Sequence, residues 1–263
     1  MNEETRQQLA EELYTALRTR APVEPISERF PDVTIDDAYD ISGRFLRLRM
    51  ERDGERVIGR KIGITARAVQ QMLNVDQPDY GWLTDAMLVP EGEPVPASEQ
   101  LIAPRAEGEI AFVLGRELAG PGVTEADVLA ATEFLLPCFE IVDSRIRDWK
   151  IKITDTIADN ASCGMFMLGH TPVPPSAVDL GTCGMVFELN GRVSATGAGA
   201  AALGASPVAT VAWLANTFGE RGEKLEAGDV ILSGSLVPLQ PVEAGDCARI
   251  SIGGIGDLSI RFV

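Results

Sequence analysis

The chain has 263 residues, 45% of them hydrophobic and 24% charged, the ordinary balance of a globular protein long enough to bury a substantial core. A formal net charge of -16 excludes a broad phosphate-binding surface, because nucleic-acid binders need basic stripes to displace counterions. The polar, acidic start is unlike a signal peptide and no apolar run reaches membrane-spanning length, so a cytoplasmic protein with no membrane partner is expected.

Leu9, Leu13 and Leu17 recur at steps of four and predict an amphipathic helix. A second helix follows "PDVTIDDAYDISGRFLRLRM", with Thr34 and Asp37 as a capping box and Ala38, Ile41, Phe45 and Leu48 as its apolar stripe. Together they read as an N-terminal helical cap over residues 1–55, leaving 56–263 as a β-rich unit, the two most simply one continuous body. "RVIGRKIGIT" is a strand with glycines, after which Thr65 can cap a short helix through Met72. "VDQPDYGWLTD" is dominated by turn formers. "EIAFVLG" reads as a strand, "TEADVLAATEF" as a helix with a T-x-x-D start, and "LLPCFEIVD" as another strand. "SPVATVAWLANTFGERG" is a helix with Ser206 as N-cap and Pro207 at its first position. The last third, with "DVILSGS", "CARISI" and "LSIRFV", is mostly short strands. The fold class expected is α+β.

In "RAEGEIAFVL" the side chains of a strand alternate, so Glu107 and Glu109 share one face while Ile110, Phe112 and Leu114 take the other. Two carboxylates held a strand repeat apart and partly desolvated repel, unless a cation lies between them. Glu140 in "PCFEIVD" is a third acid flanked by apolar neighbours. Two readings remain open: a hard divalent ion such as Mg²⁺ or Mn²⁺ on oxygen ligands, or solvated acids of an edge strand. Lys61 sits mid-strand, either snorkelling to water or facing an anionic ligand. "DTIADNASCG" clusters Asp159, Asn160 and Ser162; the residue types favour a turn and cap over a set of donors for a carboxylate.

Other patterns carry less. "GAGAAALG" matches neither the dinucleotide nor the Walker fingerprint. His170, the one histidine, lies in a loop-like "GHTPVPP", which gives little support to a Ser-His-Asp or Cys-His mechanism. "LSGSL" is not a nucleophile elbow. Cys138, Cys163, Cys183 and Cys247 lie far apart without a C-x-x-C pair, so small buried thiols are expected rather than a zinc ribbon or a disulfide framework.

"GRKIGIT", "VDQPDYGWLTD", "RAEGEIAF", "EIVDSRIRDWKIKITDTIADNASCG" and "GDVILSGS" together resemble the 2-hydroxypenta-2,4-dienoate (2-keto-4-pentenoate) hydratases of aromatic meta-cleavage pathways, in the fumarylacetoacetate hydrolase superfamily. The likeness runs from about residue 5 to the C-terminus. It implies a mixed β-sheet fold like the C-terminal domain of that superfamily, a divalent metal (Mg²⁺ or Mn²⁺) on Glu107, Glu109 and Glu140, and a homo-oligomer. It also implies Lys61 beside a small anionic 2-oxo or 2-hydroxy-dienoate, Asp79 of "QPDYG" as acid/base, and Ser162 as a weaker candidate for substrate contact. The implied reaction is ketonisation of the dienol and addition of water at C4, giving 4-hydroxy-2-oxopentanoate. The 4-oxalocrotonate decarboxylases share the metal motif and are the nearest alternative; "SRIRDWKIKITDT" leans toward hydratase. More distant alternatives are an acylpyruvate-type hydrolase and a non-catalytic subunit, and association with a pathway decarboxylase or aldolase is compatible with the family.

Overall fold

The computed structural model describes residues 1–73 and 75–263. The chain begins with α1 (Glu3–Thr19), the single turn α2 (Ile26–Arg29) and α3 (Ile35–Asp53). The Asn2 side chain caps α1 by accepting the Thr5 N–H, and the Thr34/Asp37 capping box opens α3 as expected. Leu9 and Leu13 of α1 and Ala38, Ile41, Phe45 and Leu48 of α3 are buried. They join one continuous apolar cluster with Ile110 and Phe112 from the body of the protein, so the helical cap has no core of its own.

The body follows as β1 (Val57–Gly63), α4 (Arg67–Leu73), β2 (Asp79–Thr84), α5 (Ala97–Gln100), β3 (Arg105–Leu114), α6 (Glu125–Ala131), β4 (Thr132–Val142), α7 (Ile153–Ala158) and β5 (Cys163–Leu168). It continues through β6 (Gly184–Leu189), β7 (Arg192–Ala198), α8 (Pro207–Glu220), β8 (Val230–Leu232), β9 (Gln240–Pro241), β10 (Cys247–Ile252) and β11 (Gly256–Arg261). Among the described residues these strands form two sheets. The larger runs β2-β1-β8-β3-β4-β5 with β9 added beside β3; the smaller runs β11-β10-β6-β7. The larger sheet is mixed, with β1 and β8 parallel and the other pairs antiparallel. This is the expected α+β architecture behind helices.

The larger sheet curls. Lys61 on β1 reaches Glu140 on β4 although β8 and β3 lie between them in strand order. Inside the curl, Leu83, Met87, Ala111, Leu136, Cys138, Cys163, Phe166 and Leu232 form a second, separate apolar cluster. On the outside, β3 packs against the smaller sheet so closely that a Cβ at Gly108 would lie 2.6 Å from Met185 Sδ and 2.9 Å from Ile250 Cγ2. Contact with the neighbouring sheet therefore explains the glycine between Glu107 and Glu109.

Four details depart from the sequence expectations. The stretch dominated by turn formers contains β2, because pairing with β1 overrides the low strand propensity of Asp79 and Gly81. The helix expected over "TEADVLAATEF" has its Thr124/Asp127 capping box but stops at Ala131; Thr132 to Phe134 already extend into β4. Cys247 is exposed, whereas Cys138, Cys163 and Cys183 are buried, because β10 turns Cys247 away from the core at its first residue. Thr156 to Ala158 belong to α7, and the turn read in "DTIADNASCG" begins after it. No described helix is long and apolar enough to cross a membrane.

Candidate active site

The register of β3 and β4 sets the acids. Glu107 pairs directly with Glu140 across the two strands, and Glu109 follows on the same face. One carboxylate oxygen from each of Glu107, Glu109 and Glu140 lies within 4.8 Å of the others. Glu109 and Glu140 are 0% exposed and Glu107 is half-buried, which removes the solvated edge-strand reading. Among the described residues neither oxygen of Glu140 accepts a hydrogen bond, nor does Glu109 Oε1; Glu109 Oε2 accepts the Gly234 N–H at 2.8 Å. Buried carboxylate oxygens without donors are costly unless a cation meets them. Three carboxylates, two of them with such oxygens, converge at oxygen-ligand spacing, which fits a hard divalent ion.

Lys61 is 3% exposed, so it does not snorkel; its Nζ lies 3.2 Å from Glu140 Oε1. Asp79 stands on the same face, since Lys61 pairs with Gly81 and Gly63 with Asp79. A Cβ at Gly63 would collide with Asp79 Oδ1 and lie 3.1 Å from Lys61 Nζ, so the glycine makes room for both groups. Asp79 Oδ1 has no hydrogen-bond partner among the described residues.

These charges perturb one another. Burial, then the Glu140 charge, pushes Glu107 up to about 7, with Lys61 opposing. Burial and the charges of Glu140 and Glu107 hold Glu109 well above the usual carboxylate range. Burial alone would lower the Lys61 ammonium, but Glu140 and Asp79 outweigh it and hold Lys61 above its ordinary value. Burial raises Asp79 against the pull of Lys61. A carboxyl group shifted toward neutrality beside a fixed ammonium is suited to moving a proton.

The remaining candidates have partners of their own. Ser162 is buried, with its Oγ 3.2 Å from Thr156 Oγ1. Asp159 is held by Arg145, which donates to it from the backbone N–H at 2.9 Å and from Nε at 2.5 Å, and by Ser144 Oγ at 3.4 Å. His170 is an exposed residue paired with Glu91. Two residues were not singled out from the sequence, Gly234, whose N–H holds Glu109, and Arg145, 1% exposed; Asn160 was noted in its cluster, but not its pairing with β2. "LSGSL" and "DNAS" were visible, but their contacts are made by backbone groups distant in sequence.

The fumarylacetoacetate (FAA) hydrolase C-terminal family matches residues 56–263. A 2-hydroxypent-2,4-dienoate hydratase of Pseudomonas putida is 62% identical over 215 residues, covering 82% of this chain and 96% of its own. A 2-hydroxyhexa-2,4-dienoate hydratase of Comamonas testosteroni is 55% identical over 251 residues, 95% of this chain and 94% of its own. Among solved structures, the 4-oxalocrotonate decarboxylase of Pseudomonas putida G7, complexed with magnesium and adipate, superposes with a TM-score of 0.95 at 38% identity, covering 100% of this chain and 99% of that one.

Proposed function

The chain belongs to the fumarylacetoacetate hydrolase family, as a 2-hydroxypentadienoate hydratase of meta-cleavage catabolism, and from that premise we propose how its residues carry out the hydration. The enzyme is a hydro-lyase that converts 2-hydroxypenta-2,4-dienoate to 4-hydroxy-2-oxopentanoate. The observation that carries the mechanistic reading is the meeting of Glu107, Glu109, Glu140 and Lys61 in one buried cluster.

Glu107, Glu109 and Glu140 would hold Mg²⁺ or Mn²⁺, the choice of hard ion following from an all-carboxylate donor set. When bound, such an ion supplies Lewis-acid stabilisation of charge on a substrate oxygen. Lys61, fixed by Glu140, offsets the excess negative charge of three carboxylates and keeps a cation near the carboxylate of the substrate. Asp79 handles the protons: the 2-hydroxyl proton is released as one is delivered at C5 when the dienol ketonises, and the proton taken from the water that adds at C4 is returned at C3. Its burial supports that role by favouring the protonated form, against the pull of Lys61. Ser162 is proposed to contact the substrate from the turn beside β2. The apolar lining within the curl excludes bulk water from below the acids.

The second reading is 4-oxalocrotonate decarboxylation, favoured by the full-length superposition on that enzyme. Identities of 62% and 55% to hydratases against 38% to the decarboxylase decide for hydration. The proposal extends to a cytoplasmic homo-oligomer that can contact a decarboxylase or aldolase acting on neighbouring intermediates. It takes the cap, 1–55, and the metal-binding unit, 56–263, as one working body. The test is an assay of the purified protein with the dienol, with Mg²⁺ or Mn²⁺ and after chelation: metal-dependent loss of the dienol chromophore with formation of the 4-hydroxy product supports it, and full turnover in excess chelator overturns the metal reading.

A further inference from the structure

β2 is the terminal strand of the larger sheet, and beside Trp82 its outer edge is closed by one side chain. The Trp82 N–H donates to Asn160 Oδ1 at 2.8 Å, and Asn160 Nδ2 donates to the Trp82 carbonyl at 3.0 Å. A carboxamide presents an N–H donor and a carbonyl acceptor side by side as a peptide group does, so it pairs with a residue of a free strand edge as a further strand would. The Asn160 main chain presses on the same strand: a Cβ at Gly81 would lie 2.5 Å from the Asn160 carbonyl oxygen. Gly81 is the direct partner of Lys61, and Asp79 lies one strand repeat before it.

Asn160 is itself held firmly. Asn160, Ala161 and Ser162 are in succession left-handed, at φ 55°, 50° and 53°, a conformation that side-chain-bearing residues adopt at a cost and asparagine with the least. Arg145 anchors the turn. Its guanidinium binds the Asp159 carboxylate and the carbonyls of Asp143, Asp159 and Cys163, joining the exit of β4, the start of β5 and the turn in one buried knot. The clasp on Trp82 thus ties β2 to the end of the strand that carries Glu140.

We propose that Asn160 is a positioning residue for the hydration, its carboxamide fixing β2 so that Asp79 is set against Lys61 and the substrate. This rests on the reading of Asp79 as the acid/base group. The Asn160 carboxamide holds the outer edge of β2, and its main chain lies over Gly81 on the face that Asp79 and Lys61 share. A misplacement of a reacting group by about 1 Å costs on the order of 10²-fold in rate, so loss of the clasp is read in turnover before it is read in binding.

The experiment compares Asn160→Ala, Asn160→Asp, Asp79→Asn and the double variant Asp79→Asn/Asn160→Ala, measuring kcat, KM, the pH profile of kcat and Mn²⁺ affinity. Asn160→Ala is expected to lower kcat by roughly 10- to 100-fold and move the pH profile, with KM and Mn²⁺ affinity within about 3-fold. Asn160→Asp keeps the acceptor for the Trp82 N–H and loses the donor, so it falls between, and it serves if the alanine variant does not fold. In the Asp79→Asn background Asn160→Ala should have little further effect, since both act through one group. Additive losses, or a kcat loss accompanied by equal loss of Mn²⁺ affinity, would overturn the positioning role and leave Asn160 structural. Slow Asp79→Asn with unimpaired Asn160→Ala overturns the proposal alone. Unimpaired Asp79→Asn overturns the reading of Asp79, and with it this one.

Discussion

Glu107 and Glu140 face each other as direct partners across β3 and β4, with Glu109 one repeat further on, so ionising all three in the absence of a cation works against the fold. The sign follows from Glu107, whose carboxyl is raised from 4.5 to about 7. A group raised in the folded state contributes stability that is present below its unfolded value and lost as pH rises through its folded value. The metal-free protein should therefore lose thermal stability between about pH 4.5 and 7, and saturating Mn²⁺ should suppress the loss by favouring the ionised triad. The Tm gain on adding Mn²⁺, measured across that range, should grow with pH; a gain independent of pH would count against the triad as the binding site.

Replacing Glu107, Glu109 or Glu140 by Gln keeps side-chain volume and removes one charge. Each variant should weaken Mn²⁺ binding by at least the ~10- to 100-fold that loss of an outer ligand partner costs, while the metal-free protein stays folded because repulsion falls. Isothermal titration for affinity and circular dichroism for fold separate the two effects. Wild-type affinity in all three would place the ion elsewhere.

Lys61→Met tests a cation that faces the triad and is proposed to face the substrate. Turnover at saturating metal should fall on the order of 10²-fold, as for loss of one preorganised electrostatic partner. Breaking the buried pair leaves Glu140 without its ammonium, which costs about 3–5 kcal/mol where nothing replaces it. The Tm of the variant should accordingly drop more without metal than with it. Normal kinetics would show Lys61 to be a structural counter-ion only.

The sequence carried different parts of this site to different depths. That Glu107 and Glu109 share a face follows from the period of a strand alone, and the Thr34, Thr124 and Ser206 caps were local signals that the helices obey. The approach of Glu140 and Lys61 needed the curl of a sheet in which β1 and β4 are not neighbours, and no local pattern encodes that. Asp79 was reached only through family likeness, because "QPDYG" has the composition of a turn and becomes a strand by pairing with β1. Arg145, Asn160 and Gly234 act by hydrogen bonds with groups held in place by the fold, so their residue types gave no sign of what they hold.

The last prediction separates hydration from decarboxylation, which differ in the bond that changes and not in the need to stabilise charge on the C2 oxygen. Metal dependence and the glutamate variants therefore cannot distinguish them. Delivery of water to C4 requires a proton-handling group near the distal carbons, and the group proposed for it is Asp79, buried beside Lys61. A decarboxylase has the opposite requirement, keeping water from the dienolate it releases. In water labelled with heavy oxygen, label should appear at C4 of the product from 2-hydroxypenta-2,4-dienoate, and 4-oxalocrotonate should release no carbon dioxide. Asp79→Asn should slow hydration by about 10²-fold or more with Mn²⁺ affinity retained, since it removes the proton carrier and leaves the triad intact. Rapid carbon dioxide release with unlabelled product would instead assign the same buried cluster to the decarboxylase reaction.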